Sequence, residues 1–361
     1  MARLQGWRSE TLHLLLFKEE LRVSVTPFTP CFASQTSEMR SVSVASDKSE
    51  LNKTIFDNGK AIPAAHINGY LMDAPDAWIE SRTKPLCDVP SLIFGSMPND
   101  GGYLSDWSEE DRNKIVAEYP AAEVLFRRFM GATEFINNRV RWCLWLKDAS
   151  PSAIRAVPPV MEAVSAVQKM RAGSSRASTR KLAEMPTLFG EIRQPDSDYL
   201  IVPRHSSENR KYIPLGYYHA DVICGDSCMV IPSATLYHFG VLTSSVHMAW
   251  MRAVAGRLEM RYRYSAAIVY NNFPWPDLCD SAPLREKISH TAQAILDVRG
   301  KYPDSSLADL YDPLTMPPDL RAAHAANDRA VLAAYGLKPD TPEPEIVAHL
   351  FKLYAEMTKE A

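Results

Sequence analysis

The chain has 361 residues, of which 46% are hydrophobic and 23% are charged, a composition typical of globular domains with a sizeable buried core. A chain of this length usually folds into roughly two or three domains. The formal net charge of -3 excludes a global basic field that would attract nucleic acid, so any nucleic-acid site must be a local cluster of cations.

The N-terminal segment, residues 1–53, has little periodicity and is rich in Ser and Thr, which predicts a weakly structured or remnant segment. It contains an apolar run at residues 12–17 (LHLLLF). This run is too short to span a membrane, and Lys18, Glu19 and Glu20 follow it directly. We therefore expect neither a signal peptide nor a membrane segment.

Six cysteines are spread along the chain, and only Cys224 and Cys228 lie close together in sequence. No second pair and no nearby histidine completes a zinc-binding spacing. The cysteines are therefore expected to be free thiols in a reducing compartment, which predicts a cytoplasmic location.

Residues 54–276 have a different character, because Pro, Gly, Asp and aromatic residues are frequent between short apolar runs. Such a pattern is typical of a loop-rich layer with short strands. The elements predicted within it are a helix from Ser108 to Gly131, a strand over residues 140–146, short strands between residues 198 and 232, and a helix over residues 234–255 that ends at Gly256.

The C-terminal part, residues 277–361, predicts helices over residues 284–299, 319–335 and 345–360. Gly300, Gly336 and several prolines separate these segments. The predicted fold class is therefore mixed α/β (α+β), with a domain of short strands and helices followed by a C-terminal helical bundle.

The motif YNNFPWP, residues 270–276, is similar in composition to the Asn-Pro-Pro-aromatic motif of enzymes that methylate amino groups on bases. The residue order differs, since Phe273 separates Asn272 from Pro274. The sequence also lacks a strand followed by a Gly-rich turn and an acidic residue, the pattern that holds S-adenosylmethionine. We interpret the motif as the exit of a strand, with Phe273 and Trp275 buried.

The segment RLEMRYRY, residues 257–264, alternates polar and apolar residues as an extended strand does. One face would carry Leu258, Met260, Tyr262 and Tyr264, and the other a row that includes Glu259 and Arg261. Arg pairs with guanine O6 and N7, and a carboxylate accepts from cytosine N4, so this pair of residues has the chemistry to read one C·G pair. The alternative is a solvated strand face with a weak surface ion pair.

Two basic segments are candidates for contacts with DNA phosphates, and a solvated loop is the alternative for each. The cations of the first segment are Lys169, Arg171, Arg176, Arg180 and Lys181, and those of the second are Arg204, His205, Arg210 and Lys211.

Other titratable residues carry weaker signals. His238 and His247 lie in an apolar helical context, where packing or capping is more common than metal binding. Asp73, Asp76 and Glu80 are close in sequence, but no Glu-x-Lys pattern completes a nuclease cluster. We therefore predict neither a metal site nor a catalytic residue.

Several stretches resemble the C-terminal part of the MmeI-like (type IIL) family, single-chain restriction-modification enzymes with endonuclease, N6-adenine methyltransferase and target recognition parts. The resembling stretches are INGYLMDAPDAWIESRTKPLCDVPSLIFGSMPNDGGYL, LIVPRHSSENRKYIPLGY, MVIPSATLYHFGVLTSSVHMAWMRAVAGRLEMRYRYSAAIVYNNFPWP and NDRAVLAAYGL. Together they extend over about residues 54–336.

The resemblance implies that residues 54–276 form a DNA target recognition domain and residues 277–361 a helical domain. It also implies that Glu259 and Arg261 fall where the family reads one base pair. Asp226 and Ser227 would fall near a second base-reading position, and Arg204 near a third.

The resembling region includes no methyl-donor site, so this chain is expected to bind no cofactor itself. S-adenosylmethionine would bind to a missing or partner methyltransferase domain, and the direct partner of this chain would be double-stranded DNA. Two alternatives stay open: a stand-alone enzyme with an unrecognised site, and a non-functional remnant of a longer enzyme.

Overall fold

A computed structural model describes residues 13–17, 20–24, 40–45, 53–57, 60–65, 67–68, 73, 78–278 and 281–359. The chain divides into two compact units, Met1–Glu80 with Pro342–Ala361, and Ser81–Thr341. Within the second unit, helices that follow Pro276 pack against helices that precede it. The division into compact units therefore does not fall at Pro276. The domain boundary expected after Pro276 stays a prediction.

The first unit contains five strands: β1 (His13–Phe17), β2 (Glu20–Ser24), β3 (Arg40–Ala45), β4 (Lys53–Asp57) and β5 (Lys60–Ala64). They pair in sequence order as an antiparallel meander. Three of these strands lie where the sequence predicted weak structure. Alternation of valine with polar residues, as in RSVSVA, is consistent with a strand.

The second unit contains ten strands in three small sheets. They are β6 (Ile93–Phe94), β7 (Phe126–Met130), β8 (Trp142–Leu144), β9 (Tyr199–Pro203), β10 (His205–Ser206), β11 (Gly216–Tyr218), β12 (Ile223–Cys224), β13 (Cys228–Pro232), β14 (Gly256–Leu258) and β15 (Arg261–Arg263). The sheet orders are β11-β9-β13-β6, β12-β7-β8 and β10-β15-β14. Every pairing is antiparallel except that of β12 with β7.

Eleven α-helices belong to the described residues. They are α1 (Glu109–Glu118), α2 (Ala132–Asn137), α3 (Pro151–Arg155), α4 (Pro158–Ala172), α5 (Ala177–Lys181), α6 (Leu236–Leu242), α7 (Ser245–Val254), α8 (Ala282–Gly300), α9 (Leu307–Leu310), α10 (Pro318–Ala334) and α11 (Glu343–Lys359). The last helix belongs to the first unit, where the Tyr354 hydroxyl donates to the Trp78 carbonyl at 3.3 Å. Together with the small sheets, these helices confirm the predicted mixed α/β class.

The helix predicted from Ser108 to Gly131 is shorter than expected. It ends at Glu118, a 3₁₀ turn begins at Pro120, and the following FRRFM segment forms strand β7. Proline cannot donate the backbone hydrogen bond that a continuing helix needs. The strand instead buries Phe126 and Phe129 in the core formed with β8 and α4.

The helix predicted over residues 234–255 is interrupted near its middle. Helix α6 ends at Leu242, and the Ser244 side chain accepts a hydrogen bond from the His247 amide to begin α7. A serine hydroxyl that caps a new helix competes with continuation of the preceding one. The two shorter helices pack against each other and against α8 and α10.

The motif YNNFPWP follows a π-helical turn, Ala266–Tyr270, and not a strand. The predicted strand exit is therefore wrong, whereas the burial of Phe273 (0% exposed) and Trp275 (4% exposed) is confirmed. The Asn272 amide nitrogen donates to the carbonyls of Ala267 and Ile268, so it completes the hydrogen bonding of this turn.

Of the cysteines in the described residues, Cys87, Cys143, Cys224 and Cys228 are free thiols, as predicted, while Cys31 and Cys279 lie outside the described residues. Across that same part of the chain, no helix combines the length and apolar character needed to cross a membrane.

Candidate nucleic-acid interface

The segment RLEMRYRY forms a β-hairpin and not the continuous strand that its alternation predicted. Strands β14 and β15 pair as Gly256 with Arg263 and Leu258 with Arg261, so Glu259 and Met260 form the connecting turn. Glu259 adopts φ +57°, in the left-handed region that favours glycine or asparagine. Strand β10 adds to the other edge of β15.

The hairpin redistributes the two predicted faces. Tyr262 and Tyr264 are buried, as predicted, and Arg261 is exposed. Leu258 and Met260 were predicted on the tyrosine face, but they are 48% and 44% exposed. The turn is the cause, because residues paired directly across antiparallel strands project from the same face, and Leu258 pairs with Arg261.

Arg257 was predicted in the polar row, but it lies on the opposite face for the same reason. It pairs with Tyr262, and its guanidinium carbon lies 4.5 Å from the centre of the Tyr262 ring. The exposed face of the three-stranded sheet therefore carries Arg261 and Arg263, while Arg257 belongs to the opposite face.

Glu259 and Arg261 lie together at the tip of the hairpin. The Arg261 Nη2 donates to Glu259 Oε2 at 2.8 Å, and both side chains are at least half exposed. An ion pair this exposed contributes little to folding, about 0–1 kcal/mol. Its donors and acceptors are therefore available to a ligand at small cost to the fold.

Arg204, Asp226 and Ser227 meet beside the same sheet. The Arg204 amide donates to the Ser227 carbonyl at 3.2 Å, and its Nη1 donates to the Asp226 carbonyl at 2.9 Å. The Arg204 carbonyl accepts from the Tyr264 amide at 2.8 Å. This last bond joins the Arg204 cluster to the strand that carries Arg261, so the structure brings together all five predicted base-reading residues on neighbouring segments.

Glycine fixes the position of the connection between β12 and β13, which carries Asp226 and Ser227. A Cβ added at Gly225 would lie 2.6 Å from the Phe129 ring, and one at Gly95 would lie 2.3 Å from the Gly225 carbonyl oxygen. Both distances are shorter than a Cβ permits, so the lack of a side chain at Gly95 lets its backbone meet that of Gly225, and the lack of one at Gly225 leaves room for the Phe129 ring.

The Ser227 hydroxyl also has a structural role. It accepts a hydrogen bond of 2.9 Å from the Ala132 amide at the start of α2, while Glu134 Oε2 accepts from the Gly131 amide at 2.9 Å. Arg141 in turn donates to Glu134 at 2.9 Å. These bonds fix the connection relative to strand β7.

Phe94 was not identified from the sequence, yet it lies against the same cluster. Its ring is 42% exposed, and the guanidinium carbons of Arg204 and Arg193 lie 5.0 Å and 5.8 Å from its centre. Arginine stacked on an aromatic face is held in orientation while its edge stays available for hydrogen bonds. An exposed aromatic residue between Pro90 and Gly95 offers no periodic signal by which it would have been found.

Arg171 requires a correction. It was predicted to contact phosphate, but it is 1% exposed. Its guanidinium donates to backbone carbonyls at 2.8–3.1 Å, and the acceptors are those of Pro98, Asn99, Leu182, Met185 and Leu188. All of its hydrogen-bonding capacity is used inside the protein, so Arg171 holds two loops together and does not face a ligand.

The other cations of the first basic segment are exposed: Lys169 on α4, and Arg176, Arg180 and Lys181 at α5. Arg180 donates to the carbonyls of Ser174 and Ser175 at 2.9 and 2.8 Å, so part of its capacity is used locally. In the second segment, Lys211 is exposed and lies over the Tyr212 ring. Burial lowers the pKa of the half-buried Arg210, although Asp312 acts in the opposite direction.

The pKa of His205 is affected by several positive charges on this face of the sheet. Burial is the largest cause that lowers its pKa, and the charges of Arg204, Arg261 and Arg263 lower it further. Three guanidinium groups therefore act on one imidazole at this surface, although the whole chain carries a net charge of -3.

Of the two histidines considered as metal ligands, His247 is buried, and His238 is partly exposed. His238 Nδ1 accepts from the Thr235 amide at 3.0 Å at the start of α6, and His247 Nε2 is bonded to the Tyr264 hydroxyl at 2.7 Å. Within the described ranges, no group of three or more His, Cys, Asp or Glu side chains has an arrangement that would hold a metal ion.

Comparison with known proteins gives consistent results over the whole second unit. Two family models match consecutive regions, the MmeI target recognition domain over residues 73–277 and the MmeI C-terminal domain over residues 281–361. DNA methyltransferase A of Bacillus subtilis (strain 168) is 39% identical over 310 residues, which is 86% of this chain and 35% of that protein.

A solved structure of the Type IIL restriction-modification enzyme MmeI in complex with DNA is also similar. Its TM-score is 0.78 at 45% sequence identity, and the match covers 83% of this chain and 40% of that chain. This chain therefore spans about a third of the length of the curated relative. Because the MmeI target recognition model matches more than half of its residues, the chain belongs to the MmeI family of target recognition domains.

Proposed function

We propose that this chain recognises a specific sequence in duplex DNA, as the target recognition part of a restriction-modification enzyme that methylates adenine at N6. The observation that carries this proposal is the exposed hairpin face, where Glu259 and Arg261 stand beside further arginines in a chain of the MmeI family. A two-stranded ribbon has the dimensions to enter the major groove.

The chemistry of the hairpin tip suits one C·G pair. The guanidinium of Arg261 would donate to guanine O6 and N7, and the carboxylate of Glu259 would accept from cytosine N4. In the free protein the two side chains bind each other at 2.8 Å. Exchanging this exposed ion pair for two base contacts costs little, since such pairs are weak in water.

Asp226, Ser227 and Arg204 would read neighbouring positions. The Asp226 carboxylate accepts and the Arg204 guanidinium donates, so together they offer both halves of a second hydrogen-bonding pattern. Phe94 would hold Arg204 in the orientation that its stacking gives it. This group and the hairpin tip lie on segments that are hydrogen-bonded to each other, which supports one continuous reading surface.

Phosphate contacts would provide affinity that does not depend on sequence. We assign this role to the exposed cations Lys169, Arg176, Arg180, Lys181 and Lys211 and to the half-buried Arg210. Each phosphate neutralised by a protein cation releases counterions, so binding should weaken as salt increases. Arg171 has no part in this role because it is buried.

Methyl transfer would use parts of the enzyme that this chain does not span. One observation supports this proposal: strand β7 leads through a single glycine, Gly131, into α2, and the Gly131 and Ala132 amides there already donate to Glu134 and Ser227. We therefore expect calorimetry to detect no binding of S-adenosylmethionine to this chain. A saturable heat would contradict that assignment.

Selection from a randomised duplex DNA pool tests the main proposal. The purified chain, alone and with added methyltransferase companion proteins, should enrich one sequence, and Glu259→Ala should relax one position of it. Recovery of no enriched sequence under either condition would overturn the proposal.

A further inference from the structure

His205, Arg263 and Gly256 form one row across the β10-β15-β14 sheet. His205 pairs with Arg263, and Arg263 pairs with Gly256. Residues paired directly across antiparallel strands project from one face, so the three positions share the exposed face of this sheet. Arg263 and Gly256 are exposed, and His205 is half-buried.

Gly256 leaves an open space next to Arg263. A Cβ built at this position meets no other atom of the structure within 4 Å, and its φ lies outside the left-handed region. Neither packing nor backbone conformation therefore requires glycine here. Glycine weakens a strand, and it commonly marks a place where a ligand or another backbone approaches closely.

The charges around the row favour an anion. Arg204, Arg261 and Arg263 all act on the His205 ring. The nearby carboxylates are those of Glu259, which is bonded to Arg261, and Asp226, whose oxygen lies 3.9 Å from Arg204 Nη1. The described contacts of Arg263 include no carboxylate, so an anion that entered the space at Gly256 would meet no competing carboxylate on this arginine.

We propose that this row binds one backbone phosphate of duplex DNA and that His205 takes up a proton from solvent when the phosphate arrives. The Arg263 guanidinium would donate to the phosphate oxygens, and the protonated imidazole would donate a second charge-assisted hydrogen bond. An anion within a few ångströms favours the charged form of histidine, which offsets the effect of the three arginines. The inference rests on the proposed function, since it names a further contact of the same surface.

Calorimetric titration with a short duplex of randomised sequence tests the inference. Binding by the wild-type chain should take up protons near neutral pH, which appears as a difference in heat between buffers of different ionisation enthalpy. His205→Gln should remove most of that uptake. Arg263→Gln should flatten the salt dependence of the association constant by about one unit.

Two further variants separate the row from its surroundings. Gly256→Leu fills the open space, so it should weaken DNA binding severalfold while the melting temperature stays unchanged. Arg257→Gln removes the same charge as Arg263→Gln from the opposite face of the hairpin. It should leave the salt dependence and the proton uptake at their wild-type values.

The outcomes distinguish the two proposals. If the wild-type chain binds DNA but His205→Gln keeps the full proton uptake, or Arg257→Gln flattens the salt dependence as much as Arg263→Gln, the phosphate row is wrong and DNA recognition stands. If the wild-type chain binds no duplex even at low salt, the proposed function fails and the row fails with it.

Discussion

Arg261 donates a hydrogen bond of 2.8 Å to Glu259 across the tip of a β-hairpin that projects both side chains into solvent. The arrangement holds a donor group and an acceptor group side by side without burying either. Because the pair is exposed, substitutions of these two residues should change stability little. Their effect on DNA binding can therefore be measured separately.

The first prediction concerns base preference at the hairpin tip. Glu259→Ala and Arg261→Ala should each lose roughly 1–3 kcal/mol of discrimination at the same base pair, because each would remove one half of the proposed contact. Competitive binding to a panel of single-base variants of the enriched sequence measures this loss. Arg257→Ala is the control, and its ranking of sequences should match the wild type. An unchanged ranking with Glu259→Ala would refute the base-reading assignment.

The second prediction contrasts two arginines that the sequence placed in one cluster. Arg171→Met removes a buried guanidinium and leaves five backbone carbonyls without their donor, so it should lower the free energy of unfolding by at least about 3 kcal/mol. Arg176→Met alters an exposed residue, so its effect on stability should stay within about 0.5 kcal/mol.

The order of the two variants should be the opposite for DNA binding, where Arg176→Met should have the larger effect. Arg176→Met should weaken binding to every sequence and reduce the salt slope by about one unit, because it would remove one of the proposed phosphate contacts. Urea unfolding and salt-dependent binding measure the two effects. A stable Arg171→Met chain would show that the buried guanidinium is not needed by the loops around it.

The third prediction concerns acid sensitivity. Burial lowers the pKa of His247 to about 3 and that of His238 to about 4, and burial also lowers the pKa of His324. Below an unfolded-state pKa of about 6.5, the unfolded chain binds protons at these sites that the native chain excludes. Stability should therefore fall as pH decreases from about 6.5 toward 4, by up to about 1.4 kcal/mol per pH unit for each histidine.

His247→Gln isolates one of these contributions. Its free energy of unfolding should depend less steeply on pH over this interval than that of the wild type, whatever the absolute stability of the variant. Urea unfolding at a series of pH values gives the two slopes. Parallel curves would mean that His247 does not exclude its proton in the native state.

The fourth prediction concerns the glycines that position Asp226 and Ser227. Gly225→Ala places a methyl group against the Phe129 ring, so it should cost about 1–3 kcal/mol of stability. Gly300→Ala is the matched control, because a Cβ there meets nothing within 4 Å and the residue lies in helix α8. That variant should gain about 0.5–1 kcal/mol. Thermal unfolding measures both, and equal effects would contradict the close packing of the Phe129 ring against Gly225.

The sequence was most informative where periodicity and stop residues agreed. The three long C-terminal helices lie where the pattern predicted them, and Gly336 follows α10 with φ +68°. Such helices are determined by local propensity and one apolar face, both of which are visible in the sequence. The alternation of Tyr262 and Tyr264 with exposed arginines was predictable for the same reason.

The errors have identifiable physical causes. The turn at Glu259 carries neither glycine nor asparagine, so no local signal divided the predicted strand into a hairpin. The environment of Arg171 comes from loops far away in sequence, which no local pattern contains. Phe94 became a candidate through its contact with Arg204, which is 110 residues further along the chain.

The hydrogen bond from the Ala132 amide to the Ser227 hydroxyl restricts how this protein can change. Only a short side chain with an oxygen acceptor, such as Ser, Thr, Asp or Asn, can occupy position 227 and still satisfy that amide. Divergence toward new DNA targets would therefore be limited at position 227 by this hydrogen bond, and at position 259 only by the left-handed backbone, which disfavours β-branched residues.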